Sequence, residues 1–120
     1  MEINDITYQI NGAVFEVNRV LGPGFLEKVY ENALLIELQE RGLKAESQVS
    51  VEVSYKGRTV GAYFADIVVE GLVILELKSV RALDKCHEAQ ILNYLKATGF
   101  EIGLLINFTH PKAEIKRFVL

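Results

Sequence analysis

Helical spacing opens the chain. Ile6, Ile10, Ala13, Val14, Val17 and Leu21 recur at helical intervals, which predicts a helix over about Asn4–Leu21 with Asn4 or Asp5 as its cap. Gly22-Pro23-Gly24 stops it, because proline lacks an amide donor and glycine tolerates turn dihedrals. Leu26, Val29, Tyr30, Ala33, Leu34 and Leu38 form a second stripe, predicting a helix over about Phe25–Arg41 that Gly42 ends. The period then drops from 3.6 to 2: Val49, Val51, Val53 and Tyr55 alternate with Ser50, Glu52 and Ser54, as in a half-buried strand. Lys56-Gly57 turns the chain into a strand of about Arg58–Val69, and Glu70-Gly71 into a third, Leu72–Lys78. Both later strands are apolar on two faces, so they belong in the middle of a covered sheet. A third long helix, Asp84–Thr98, ends at Gly99; Glu101–Phe108 is a short apolar strand and Ile115–Leu120 an edge strand. The order α-α-β-β-β-α-β-(β) is an antiparallel meander with flanking helices, of the α+β class. No repeat or linker interrupts it, and residues 1–120 read as one domain.

Composition narrows the class. Of 120 residues 50% are apolar and 24% charged, enough for a core without staples. A single cysteine, Cys86, excludes a disulfide framework and a four-cysteine zinc site and suits a reducing compartment. With no base evidently paired to it, Cys86 reads as an inert buried residue. No apolar run approaches the ~20 residues of a membrane span, and MEINDITYQI lacks the basic and apolar regions of a secretion signal. The expectation is a cytoplasmic protein with no membrane attachment.

The net charge of −3 argues against binding nucleic acid by bulk attraction. Its distribution is uneven. Residues 1–77 carry 6 Lys and Arg against 12 Asp and Glu, whereas residues 78–120 carry 7 against 4. Solvated helix faces would account for this. So would an acidic metal site beside a basic surface of Lys78, Arg81, Lys85, Lys96, Lys112, Lys116 and Arg117.

Polar residues inside apolar strands are the informative exceptions. Asp66 interrupts one strand, and Glu76 and Lys78 interrupt the next; burial is expensive for each unless it pairs or meets a metal. Glu76 and Lys78 are two apart and share a face. A two-residue loop, Glu70-Gly71, would put Asp66 on the opposite face. A three-residue loop, Val69-Glu70-Gly71, opposes Val68 to Leu72 and Asp66 to Ile74, and sets Asp66 diagonal to Glu76 on the same face. Gly71 suits its left-handed last place, so the three-residue loop is expected. Two carboxylates ~4 Å apart repel by roughly 4 kcal/mol at an effective dielectric of 20. Lysine relieves this in part and a divalent cation relieves it better. Oxygen ligands select Mg²⁺ or Mn²⁺ over zinc. Water acidified by such an ion, beside a lysine ammonium, suits attack on phosphorus. The competing account is a buried ion pair, Glu76–Lys78 or Asp66–Lys78.

The stretch G-F-L-E-K-V-Y, Gly24–Tyr30, resembles the signature of the GxxExxY protein family. The resemblance continues through Y-F-A-D-I-V-V-E-G (Tyr63–Gly71), E-L-K (Glu76–Lys78), H-E-A-Q-I-L-N-Y-L (His87–Leu95) and G-L-L-I-N-F (Gly103–Phe108), over nearly the whole chain. That family is placed by resemblance in the PD-(D/E)XK nuclease superfamily. The resemblance implies a restriction-endonuclease-like core: a helix, a three-stranded meander, a helix and a further strand. It also implies Asp66 as the metal-binding aspartate, Glu76 as the second carboxylate, Lys78 as the catalytic lysine and the Leu77 carbonyl as a further metal ligand. Glu27 resembles the additional helix-borne acid of some branches, and Gln90 with Tyr94 the Q-x-x-x-Y helix motif that contacts substrate. Ala65 stands where the superfamily motif has proline, a residue often missing there.

The function expected on these grounds is Mg²⁺- or Mn²⁺-dependent hydrolysis of phosphodiester bonds in DNA. The alternative is a nuclease-fold module that binds nucleic acid or assembles proteins without cutting. A homodimer is expected by analogy, since many small members need a second subunit to hold DNA. Other readings stay open at single positions. Glu27 would serve equally as an acid near a helix N-terminus, Tyr30 as a core tyrosine or a substrate contact, and Gln90 and Tyr94 as packing. His87 reads as cleft-facing or as surface, and the glycines around Pro23 lack the lysine and hydroxyl of a phosphate-binding loop.

Overall fold

The computed structural model describes residues 1–120. Three helices, α1 (Ile3–Leu21), α2 (Glu27–Glu40) and α3 (Lys85–Thr98), flank five strands: β1 (Ala45–Tyr55), β2 (Arg58–Val69), β3 (Val73–Lys78), β4 (Ile102–Asn107) and β5 (Glu114–Val119). The element order is the expected one. The strands form one sheet in the order β1-β2-β3-β4-β5, and α3 carries the chain across so that β4 runs parallel to β3 while every other pair is antiparallel. A parallel neighbour needs such a crossover, so the meander proper stops at β3. No helix is long and apolar enough to cross a membrane.

Side-chain alternation sorts the sheet into two faces. Val73, Leu75 and Leu77 of β3, with Ile102, Leu104 and Ile106 of β4, pack against Ile6, Ile10 and Val14 of α1 and Leu34 and Leu38 of α2. Ile74 points the other way, into a smaller cluster with Val68, Tyr94 and Leu95 under α3. α3 approaches closely because Gly103 has no side chain: a Cβ there would meet Ile91 Cδ1 at 2.9 Å.

Element ends follow local chemistry. Glu2, not Asn4 or Asp5, is the N-cap of α1; Asp5 sits a turn inside, where its carboxylate accepts the Glu2 amide at 3.3 Å. α2 starts two residues later than its stripe suggests, because Gly24 takes φ 97° and Leu26 is extended. α3 keeps its expected bounds: Asp84 accepts the Cys86 and His87 amides at 2.8 and 3.2 Å, and Gly99 closes the helix in the left-handed region.

The β2–β3 hairpin corrects the expected register. Val69 pairs with Val73 and Val68 with Ile74, so Val68 does not oppose Leu72. Glu70 and Gly71 both have positive φ, 55° and 63°, and Leu72 N–H donates to the Val69 carbonyl as in a two-residue turn. Leu72 is then one extra residue before pairing begins. The connection has three residues as expected, displaced by one, which leaves face parity unchanged; the pairing stops at Ile67 and Leu75, next to Asp66 and Glu76. A second correction concerns β2. Only its last residues are buried; Arg58–Phe64 forms with β1 an exposed arm, so this strand is not covered along its length.

Candidate functional site

The site forms where the sheet forks. The β2–β3 ladder ends at Ile67 and Leu75, and beyond it side chains replace the missing backbone bonds. Leu77 N–H donates to Asp66 Oδ2 at 2.8 Å, and Asp66 N–H donates to Glu76 Oε1 at 3.4 Å. The Lys78 carbonyl accepts from Phe108 on the β4 side. Groups of successive strand residues alternate between neighbours, so the Leu77 carbonyl faces the fork with its own N–H.

Burial sets the electrostatics. Glu76 is 4% exposed, and its carboxyl is pushed up to about 9, first by burial and next by the Asp66 charge; the Asp66 amide and Lys78 oppose the rise. Asp66 is also raised, chiefly by burial, against the Leu77 amide, with Glu31 and Glu27 adding to the rise and Lys78 opposing it. The two carboxyls interact too closely to titrate independently. Neither takes part in any ion pair of the fold. The buried pair Glu76–Lys78 or Asp66–Lys78 is therefore not formed. Lys78, two residues along the same strand, stands roughly 6–7 Å from Glu76 along the backbone and alongside it.

The helix-borne acids are placed differently from expectation. Glu27 is exposed at the first position of α2 and reaches Asp66 only through its field. The fold does not gather it with the other two: no group of three His, Cys, Asp or Glu stands close enough together to hold a metal. Glu31, one turn on, is 5% exposed and acts on Asp66 more strongly than Glu27 does. Lys28 Nζ holds its carboxylate at 2.8 Å and Gln48 Nε2 at 3.1 and 3.2 Å. Gln48 has φ 52°, a strained value for a non-glycine residue, and lies at the unpaired position of β1 across from Asp66. The sequence reading missed Glu31 and Gln48. Glu31 carried a signal, because it stands three and seven residues before Leu34 and Leu38 on the buried stripe. Asn107, fully buried in β4, was also missed; it clamps Val80 by both backbone groups at 2.9 Å and so anchors the loop after Lys78.

α3 faces the fork from the other side. Gln90 Nε2 donates to the Tyr94 hydroxyl at 3.1 Å, as residues four apart on a helix can. Tyr94 is 5% exposed. Burial first, then the charges of Glu76 and Asp66, push its hydroxyl up to about 12. It remains protonated at ordinary pH and, because it accepts from Gln90, keeps its own hydrogen free to donate. His87 lines the same cleft, with its Nδ1 facing the Asp84 amide at 3.2 Å. Cys86 is exposed on the first turn of α3, which corrects its reading as a buried residue; a position so near the helix start meets no neighbouring layer.

Tyr30, expected as a core tyrosine or a substrate contact, lies in the core. It is fully buried, stacked on Phe108 with centroids 4.6 Å apart, and its hydroxyl donates to the Gly22 carbonyl at 2.6 Å. With Gly24 at φ 97°, it shapes the α1–α2 turn. Tyr30→Phe is expected to destabilise the fold by about 1–2 kcal/mol, the effect of stranding a partly buried carbonyl. Urea unfolding checks this; an unchanged midpoint would contradict it.

A family model described as the PD-(D/E)XK nuclease superfamily matches residues 4–118. Among solved structures, the crystal structure of SSO0001 is similar in fold, with a TM-score of 0.58 and 20% identity over 77% of this chain. The chain spans about half of that structure's length, 48%. No curated protein matches the chain.

Proposed function

The chain belongs to the PD-(D/E)XK nuclease superfamily, and on that premise we propose that it hydrolyses phosphodiester bonds in DNA with Mg²⁺ or Mn²⁺ held at Asp66 and Glu76. The observation that carries this reading is the interlocked carboxylate pair at the fork, free of any ion pair, with Glu76 buried and Asp66 half-buried. Two such groups, one with a strongly raised pKa, are poorly explained by stability and well explained by a site built to hold a cation. The donor set fits a hard ion: two carboxylates and the Leu77 carbonyl are all oxygen, and Mg²⁺ keeps several waters of its own. Only two acids meet here, so the ion would depend on water and on a substrate phosphate to complete its ligands. When bound, it would supply Lewis-acid charge and acidify water.

The chain's own residues have separate tasks. Asp66, Glu76 and Leu77 hold the ion. Lys78, close but free of an ion pair, orients the attacking water and offsets charge on the phosphorus oxygens. Gln90 fixes the rotamer of Tyr94, whose hydroxyl donates toward the phosphate. Glu27 and Glu31 hold negative field on Asp66, and thereby strengthen cation attraction without ligating.

Two measurements test this. Purified protein should nick or degrade DNA in Mn²⁺, and Glu76→Ala should abolish the activity; equal activity in the variant would assign the cleavage to a contaminant. Metal affinity should also depend on pH. Below the raised Glu76 pKa of about 9 the ion must displace a proton, so its apparent affinity rises up to ~10-fold per pH unit between pH 6 and 8, with about one proton released. Calorimetry in buffers of different ionisation enthalpy reads the proton count. A pH-independent affinity would refute carboxylate binding at this pair.

A further inference from the structure

The arm of β1 and β2 stands off the sheet opposite α3, and the space between them divides into two cavities of about 460 and 480 Å³. Both are bordered by Tyr63, Asn93 and Tyr94. Tyr63 is 48% exposed, and its ring lies 5.5 Å from that of Tyr94 at 55°. One cavity reaches Gln90 and His87; the other reaches Glu52 and Lys96. Neither is lined by a row of cations. Lys96 is the one lysine, Glu52 counters it, and arginine is absent.

The exposed aromatic is the feature that bears on the form of nucleic acid. Lysines and arginines that neutralise phosphates contribute to binding of either form, and Lys96 is the one such residue here. Aromatic platforms serve single strands, whose bases are free to stack on them. Each cavity has the volume of a small-ligand site, ~300–1,000 Å³, room for a nucleotide. The side-chain amides of Gln90 and Asn93 offer donors and acceptors to exposed base edges, which pairing would otherwise occupy.

We propose that this cleft receives an unpaired strand, with consecutive bases seated on either side of the Tyr63–Tyr94 pair and Tyr63 as the stacking platform. Tyr63 and Asn93 thereby select single-stranded or frayed ends as substrate. The inference rests on the phosphodiesterase reading only in directing the strand's phosphate toward Asp66 and Glu76.

Fluorescence anisotropy with a dye-labelled oligothymidylate and with a duplex of the same length tests it, in EDTA so that turnover cannot interfere. The single strand should bind tighter. Tyr63→Ala should weaken it about 5- to 140-fold, which is ~1–3 kcal/mol per lost base stack at 1.4 kcal/mol per tenfold. Tyr63→Phe should keep the affinity, since the stack needs the ring and not the hydroxyl. Equal affinity for both probes, no binding of either, or a Tyr63→Ala variant that binds like the parent would overturn the proposal. The two readings fail separately. Strand preference and its loss in Tyr63→Ala, with no cleavage in Mn²⁺, would sink the phosphodiesterase and keep the cleft. Cleavage of duplex and single strand at one rate, unchanged by Tyr63→Ala, would do the reverse.

Discussion

Glu76→Gln is expected to stabilise the metal-free protein at pH 8 and, in the same step, to remove its stabilisation by Mg²⁺. In the fold Glu76 holds its proton up to about pH 9, whereas the unfolded chain releases it near 4.5. The folded form's hold on that proton favours it fully below pH 4.5, and the advantage is lost as pH rises through 9. Stability of the parent therefore falls across this window. Glutamine keeps the shape and the acceptor for the Asp66 amide but has no proton to lose. At pH 8 the variant should gain about 2–4 kcal/mol, discounting the full linkage value for relaxation around the site. The gain should vanish near pH 4, and the raised Asp66 should leave a smaller residual slope. Urea unfolding at pH 4, 6 and 8, with and without Mg²⁺, reads all of this. A variant less stable than the parent at pH 8 would mean that Glu76 is a structural carboxylate with a partner.

Lys78→Ala should reduce DNA cleavage by about 10²–10³-fold, the usual effect of removing one donor that stabilises developing charge. The fold should barely respond. Breaking a buried ion pair would cost about 3–5 kcal/mol, but no such pair involves Lys78. Rates on labelled DNA in Mn²⁺, set beside unfolding midpoints, separate the two effects. Unchanged cleavage would remove Lys78 from the chemistry, and a large stability loss would restore the ion-pair account.

Much of the frame was legible because periodicity reports directly on which faces are covered. The switch from 3.6 to 2 after Gly42 located the helix-to-strand change, and Asp84 with Gly99 bounded α3 through local hydrogen bonds alone. Asp66, Glu76 and Lys78 were legible as polar intrusions into apolar strands. The hairpin was legible only in parity: Leu72 entered the connection because Glu70 and Gly71 both take positive φ, and no side-chain pattern distinguishes that from a loop one residue earlier. Glu27 drew attention by its motif, while Glu31 turned out to be the buried acid, since depth along α2 depends on where the helix meets β1.

The amino-acid order by itself determined the elements, their succession and the strand positions of the three charged residues, since these follow from near-neighbour sterics and from burial at a fixed period. Only the tertiary structure decided that β2 parts from β3 at Asp66, so that the carboxylates replace backbone bonds. It alone decided also that Tyr63 of β2 and Tyr94 of α3 come together, with ring centroids 5.5 Å apart. Contacts between segments far apart in the chain depend on how the layers pack, and that packing belongs to the whole assembly of helices and sheet.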